Sequence, residues 1–161
     1  MLGAEVISST LVTGRFLGVG VGSSPAEAEA RLGDNVQQVH GREPHRYLRL
    51  DFGLVEATFS GEPDWTCQWF SIHMHRLGEV PGLTAEVREN YGLDFPEPVT
   101  WGQLSPEVRQ SAERIDPPHR DGYAQTPTRY RVPGVRANIS LSSALEGDGP
   151  GRVIEKIQIG I

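Results

Sequence analysis

Apolar and polar residues alternate in five segments of the chain, which is the pattern of β-strands that bury one face. The longest segment, 66–76, places Phe70, Ile72 and Met74 on one face. Its other face carries Cys67, Trp69, Ser71, His73 and His75. The five predicted strands are 47–52, 55–59, 66–76, 135–141 and 153–161, and the last directs Val153, Ile157, Ile159 and Ile161 towards the core.

Helix signals lie before and between these strands. Ser24 can cap a helix that has Pro25 in its first turn, Glu27 three residues after the cap, and Gly33 as its end. Thr84 similarly predicts a short helix over 85–91, and Ser105 with Pro106 predicts one that reaches about residue 115. A Gly-rich segment, 15–21, precedes the first helix and predicts a strand. The fold class is therefore α+β, a mainly antiparallel sheet with short helices on one face.

The two halves of the chain follow the same order. Ser24-Pro25 and Ser105-Pro106 each open a helix, and Gly53 and Gly134 each precede an alternating strand at the same offset. A pseudo-repeat of 15–76 and 99–161, built as two helix-plus-hairpin units in one sheet, explains this order. The length of 161 residues predicts that both units belong to a single domain.

Composition narrows the classes of partner. The formal net charge of −6 argues against non-specific nucleic-acid binding, which needs a basic face, and it permits attraction to a basic protein. Cys67 is the only cysteine, which rules out an intramolecular disulfide and suits a reducing compartment. The chain has no apolar run of about 20 residues. We therefore expect a cytoplasmic protein without a membrane or nucleic-acid partner.

Few residues suggest catalysis or a cofactor. The run Gly18 to Gly22 lacks the spacing of a dinucleotide fingerprint and is not followed by lysine, so we expect no cofactor. Cys67 and His73 are about 20 Å apart along one strand, too far for a nucleophile–base pair. His119 between Asp116 and Asp121 falls in a predicted loop, 116–127, of a composition that is usually only solvated.

The pair His73 and His75 is the strongest chemical signal. Residues two apart on a strand point to the same side, so both imidazoles can bind one metal ion. A third ligand could come from Asp51, His40 or His45. No residue is singled out as that third ligand, and a polar outer face of the sheet is the favoured explanation of the two histidines.

Aromatic residues suggest a different use for the same face. Trp65 and Trp69 have odd residue numbers, as His73 and His75 do, so the alternation of a strand places all four side chains on one face. Arg49 and Asp51 are placed on the adjoining strand. A mixed aromatic and charged surface is typical of protein interfaces. The alternative is that helices cover this face, which would make the tryptophans core residues.

A family resemblance supports the binding interpretation. The run Val19-Gly20-Val21-Gly22-Ser23-Ser24-Pro25-Ala26-Glu27, with Leu32-Gly33, resembles the opening of BamE-like and β-lactamase-inhibitory-protein-like domains. The chain is also similar to small cytoplasmic immunity proteins of bacterial polymorphic toxin systems. The resemblance implies a protein that binds other proteins, often through an exposed sheet face, and that has no catalytic residues.

Three functions follow as expectations. The first is a protein-binding module, most concretely an immunity-type inhibitor that occludes a cognate toxin, whose partner could be a basic toxin domain. Its predicted contact residues are Trp65, Trp69, His73, His75, Arg49 and Asp51. The second is a metal-binding protein or metal-dependent enzyme that uses His73 and His75, and the third is self-association through an exposed strand edge.

Overall fold

A computed structural model describes residues 1–115, 128–142 and 149–160 of the chain. The predicted loop 116–127, with Asp116, His119 and Asp121, lies outside these residues. Part of the predicted turn 147–151 and the predicted core residue Ile161 also lie outside them. In chain order the elements are α1 (Gly3–Thr13), β1 (Arg15–Phe16), β2 (Val19–Gly20), α2 (Pro25–Leu32), β3 (Val36–His40), β4 (Tyr47–Asp51), β5 (Val55–Ser60), β6 (Thr66–Ile72), α3 (Arg76–Glu79), α4 (Leu83–Tyr91), α5 (Pro106–Ser111), β7 (Glu113–Ile115), β8 (Arg129–Val132), β9 (Ala137–Leu141) and β10 (Ile154–Ile159).

Eight of the strands form one antiparallel sheet, in the order β3-β4-β5-β6-β10-β9-β8-β7. This arrangement confirms the α+β class with a mainly antiparallel sheet. Each half of the chain contributes a helix followed by a four-stranded meander, α2 with β3–β6 and α5 with β7–β10. The two meanders meet where β6 pairs with β10 at the centre of the sheet. Each unit therefore has four strands rather than one hairpin, and a duplication of sequence stays a prediction.

The hydrophobic core lies on one face of this sheet. Cross-strand pairs place Val55, Ile72, Ile157 and Ile139 side by side on that face, and all four are buried. Helices α1, α2, α4 and α5 cover it, and their buried apolar side chains belong to the same cluster: Ile7 and Leu11 of α1, Ala28 and Leu32 of α2, Leu83 and Val87 of α4, and Val108 of α5.

The helix signals of the sequence are partly confirmed. Glu27 N donates to Ser24 Oγ at 3.2 Å and Ser24 N donates to Glu27 Oε2 at 2.7 Å, which is the predicted reciprocal cap of α2. The predicted cap Thr84 is wrong, because α4 begins at Leu83 and the Thr84 hydroxyl donates to Leu77 O. The predicted helix from Ser105 ends at Ser111, and its last residues form β7 instead.

Two β-bulges correct the predicted strand faces. In β6, Trp69 pairs with Thr58 but Cys67 pairs with Phe59, so one extra residue, Gln68, shifts the alternation. Cys67 consequently faces the core, and the prediction that it shares a face with Trp69 is wrong. In β10 the shift between Ile154 and Lys156 buries Ile154 rather than the predicted Val153.

Candidate functional site

The sheet face opposite the core carries polar side chains and is called the polar face. No helix of the described residues packs its buried side chains there, because those side chains belong to the core cluster on the other side. Cross-strand pairing arranges the polar face in rows. One row runs Gln38, Arg49, Thr58, Trp69, and the next runs Asp51, Glu56, Ser71, Gln158, Asn138, Arg131.

The two predicted tryptophans lie in different environments. Trp69 lies on the polar face, half-buried, opposite Thr58 on β5. Trp65 lies in the turn before β6 and packs against the hydrophobic core. The prediction that both share one face is therefore wrong, because the β6 bulge and the turn before it break the alternation.

Two arginines and two carboxylates form an ion-pair network at one side of the polar face. Arg76, the first residue of α3, donates from Nη1 to Asp51 Oδ1 at 3.0 Å and to Gly53 O at 2.7 Å. Glu56 on β5 lies 3.6 Å from Arg76 Nη2 and 3.7 Å from Arg49 Nη1. Arg49 and Asp51 do not adjoin β6 as predicted, since β5 lies between the two strands, and Glu56 links them to it.

The histidine pair lies at the end of β6. The strand ends at Ile72 rather than at residue 76, yet the rings of His73 and His75 remain neighbours, with centroids 5.6 Å apart in an edge-to-face arrangement. His75 is oriented by Glu155 O, which accepts from its backbone N and its Nδ1–H, both at 3.1 Å. His73 is buried, and its Nε2 lies 4.0 Å from Glu56 Oε2, beyond hydrogen-bond distance.

Burial lowers the pKa of His73 to about 4, and the nearby charges of Arg76 and Lys156 and the His75 ring lower it further, against a smaller opposing effect of Asp51. The ring is therefore neutral at physiological pH.

Among the described residues, none serves as a third ligand for the predicted metal site. Asp51 is paired with Arg76, and His40 stacks on Tyr47 with ring centroids 5.0 Å apart. Within residues 1–115, 128–142 and 149–160, no group of three His, Cys, Asp or Glu residues is arranged to hold a metal ion. The two histidines alone do not make the site that a catalytic metal needs.

Four buried polar atoms on the polar face have no hydrogen-bond partner among the described residues. They are Arg49 Nε, Thr58 Oγ1, Ser71 Oγ and His73 Nε2. All four residues are neighbours of Glu56, through strand pairing or through the side-chain contacts of Arg49 and His73. Leaving such an atom unsatisfied costs about 1–3 kcal/mol, so this cluster weakens the fold unless another group hydrogen-bonds to it.

The other side of the polar face carries three cations and one carboxylate, Glu113 on β7, which lies across the strands from Arg131. Arg129 and Arg131 on β8 are exposed, and Lys156 on β10 is half-buried. Ser140 and Asn138 of β9 lie between these strands. None of the three cations forms an ion pair with another described residue. We call Arg129, Arg131 and Lys156 the basic half, and Arg49, Asp51, Glu56, His73 and Arg76 the paired half.

The remaining chemical candidates are explained by the fold. Burial raises the pKa of the Cys67 thiol to about 12, which keeps it protonated and unreactive at neutral pH. In the Gly-rich run, Gly22 N donates to Cys67 O and Ser23 N donates to Gly20 O, so these groups already have backbone acceptors. The run therefore serves as the connection from the β1–β2 hairpin to α2.

Two clefts lie at the margins of the polar face. One of about 750 Å³ is lined by residues of α2 and α4 and also by Asp51, and one of about 440 Å³ is lined mainly by apolar residues around Phe95 and Met74 and also by His75. Neither is lined by Thr58, Ser71 or His73. The polar face, which combines a half-buried tryptophan with unsatisfied polar atoms, is therefore the stronger candidate site.

Four of these six polar-face residues were predicted from the sequence, namely Trp69, His73, Arg49 and Asp51. Glu56 and Arg76 were not identified as site residues. The alternation of Val55, Ala57 and Phe59 with polar residues already directs Glu56 and Thr58 away from the core. The alternation does not specify the order of the strands in the sheet, and it is this order that places Glu56 between Arg49 and His73.

Comparison of the chain with protein-family models, with curated proteins and with solved structures finds no significant match. The resemblance to immunity proteins and to BamE-like or β-lactamase-inhibitory-protein-like domains thus stays a prediction. In the part of the chain that the structure describes, no helix has the length and apolar character to cross a membrane.

Proposed function

We propose that this chain is a protein-binding module that engages its partner through the polar face, with Trp69 as the anchor. The observation that carries this proposal is the position of Trp69. Its indole lies on the polar face rather than in the core, next to buried hydroxyls that have no hydrogen-bond partner in the described part of the chain. Large aromatic side chains at the centre of a binding face supply most of the energy in many interfaces.

The rigidity of the polar face supports the same proposal. Its side chains stand on paired strands, and Arg49 and Arg76 are held by carboxylates. A surface already held in its bound geometry loses less conformational entropy on association. Eight strands span about 34 Å, which is wide enough for a standard protein–protein interface.

The charges of the polar face favour an acidic partner over the basic toxin domain that the net charge suggested. The paired half is internally neutralised by two arginines and two carboxylates. The basic half presents Arg129, Arg131 and Lys156 without ion-pair partners in the described residues, so a partner with carboxylates opposite them is electrostatically complementary.

The immunity role is the more specific form of this proposal. A wide, rigid face suits occlusion of another protein's active site, and the family resemblance points to toxin neutralisation. In this form the partner is a toxin whose acidic surface docks on the basic half while Trp69 fills a pocket beside its active site.

The test is capture of the native partner by wild-type protein and by Trp69→Ala. We expect at least tenfold weaker binding, since truncation of a central aromatic anchor costs about 2 kcal/mol or more. Val12→Ala, which truncates an exposed apolar residue on α1, is the matched control and should bind normally. Co-expression with the product of a neighbouring toxin gene should show the same loss as failed growth rescue.

Unchanged capture by Trp69→Ala would contradict the proposal. The melting temperature shows whether the variant keeps its fold. Should it unfold, Asn138→Arg places a bulky group on the same face without removing a core contact, and it should block binding in the folded protein.

A further inference from the structure

The two edges of the large sheet are unlike each other. The β7 edge is three residues long, carries Glu113 and Arg114, and continues in sequence as Asp116-Pro117-Pro118. Short length, charge and proline are the devices by which edge strands avoid pairing with other chains. The β3 edge has none of them. Its five residues, Val36-Gln37-Gln38-Val39-His40, include no proline, lysine or carboxylate.

The β3 strand is open on its outer side. Its pairing with β4 runs through five consecutive residues without a bulge, so the strand is regular. No described strand pairs with its other edge. Val36 is 62% exposed on the polar face, and Val39 is 52% exposed on the opposite face. A regular strand with free backbone groups and exposed valines is a template for another strand.

We propose that β3 pairs antiparallel with β3 of a second copy of this chain, about a two-fold axis through Gln38. In that register Gln37 lies opposite Val39 of the second copy, and Val36 lies opposite its His40. Residues that lie opposite each other in this register both have even numbers or both have odd numbers. The polar faces of the two copies therefore lie on the same side of the joined sheet. The dimer is one continuous sheet of sixteen described strands.

Charge complementarity selects this register and this occupant. Asp34 lies two residues before β3 and Arg42 lies two residues after it. Both are exposed, and neither forms an ion pair within the described part of the chain. The two-fold axis brings Asp34 of each copy to the end of the edge that holds Arg42 of the other. One register therefore makes two identical attractive pairs, as a self-complementary interface requires.

The dimer has a consequence beyond a single binding face. Two polar faces side by side present two Trp69 anchors to one partner or to two, and a bivalent partner would bind more tightly without any new contact. The edge pairing itself does not depend on the proposed function, because β3 and Trp69 lie three strands apart.

The test measures the molar mass of the full chain by analytical ultracentrifugation from about 10 µM to about 1 mM, a range suited to a small interface. We expect a concentration-dependent monomer–dimer equilibrium. Asp34→Arg or Arg42→Asp alone places like charges opposite each other at both ends of the edge. Each single variant should weaken the dimer about tenfold or more.

Mixing the two variants provides the decisive comparison. In the mixed dimer opposite charges meet at both ends again, so the mixture should dimerise about tenfold more tightly than either variant alone. Ile115→Lys on the β7 edge is the matched control and should leave the dimer unchanged. A monomer at every concentration, or a dimer that survives both charge variants and Val39→Lys, would overturn the proposal.

Discussion

The paired half and the basic half of the polar face use the same kind of strand surface in different ways. In the paired half, Glu56 is buried and lies close to both Arg49 and Arg76, and Asp51 accepts from Arg76. In the basic half, Arg129 and Arg131 are exposed and have no ion-pair partner among the described residues. One half is electrostatically complete, whereas the other has charge available for another molecule.

The difference separates residues that support the fold from residues available for binding. Removal of a buried carboxylate between two arginines strongly destabilises the folded protein, because the two cations would be left without a counter-charge. Exposed cations contribute little to stability, since solvent and salt screen them. Substitutions in the two halves should therefore affect different measurements, stability in the first and association in the second.

The largest effect is expected at Glu56. Glu56→Gln removes the charge shared by Arg49 and Arg76, and we expect the free energy of unfolding to fall by about 3 kcal/mol in urea titrations. Lys156→Gln, on the basic half, is the control and should change stability by less than about 0.5 kcal/mol. Equal losses in the two variants would mean that the halves do not differ in this way.

Acidification should also act through the paired half. Unfolded His73 takes up a proton below its ordinary pKa of 6.5, but the folded protein does so only near 4, because the ring is buried beside cations. Stability from this residue is therefore complete above about pH 6.5 and is lost as the pH falls towards 4.

The loss should approach about 3 kcal/mol, measured by urea unfolding at pH 7, 5.5 and 4. His73→Gln removes the titrating group, so this part of the pH dependence should disappear. If the variant loses as much stability on acidification as the wild type, another group is responsible.

A smaller effect of opposite sign is expected at the unpaired hydroxyls. Thr58→Val and Ser71→Ala each remove a buried oxygen without a partner among the described residues, so we expect a gain of about 1 kcal/mol in stability. Partner affinity should fall, because a binding protein often retains such groups at a cost to its fold. Ser140→Ala, half-buried between the two strands of the basic half, should show no comparable gain. If a variant is more stable and still binds its partner as tightly as the wild type, these hydroxyls have no role in binding.

Local sequence signals predicted the elements in which neighbouring residues decide the outcome. The cap at Ser24 and the alternation over 47–52 and 55–59 depend on residues close in sequence. Both were confirmed, to within one residue at the strand ends, by α2, β4 and β5. Helix α1 was missed, because its Ser, Thr and β-branched residues have modest helix propensity. It is stabilised instead by burial of Ile7 and Leu11 against the sheet. Strands β3, β7 and β8 were missed for a related reason, since pairing with a distant strand stabilises them.

The sequence by itself determined that one face of an antiparallel sheet would be apolar and the other polar, because side chains alternate with a period of two. It also placed Trp69 and His73 on the polar side. Only the tertiary structure decided the strand order, the bulge that separates Cys67 from Trp69, and the position of Glu56 between Arg49 and Arg76. These features depend on pairings between residues far apart in the chain, whose register is selected by packing of the whole core rather than by any local pattern.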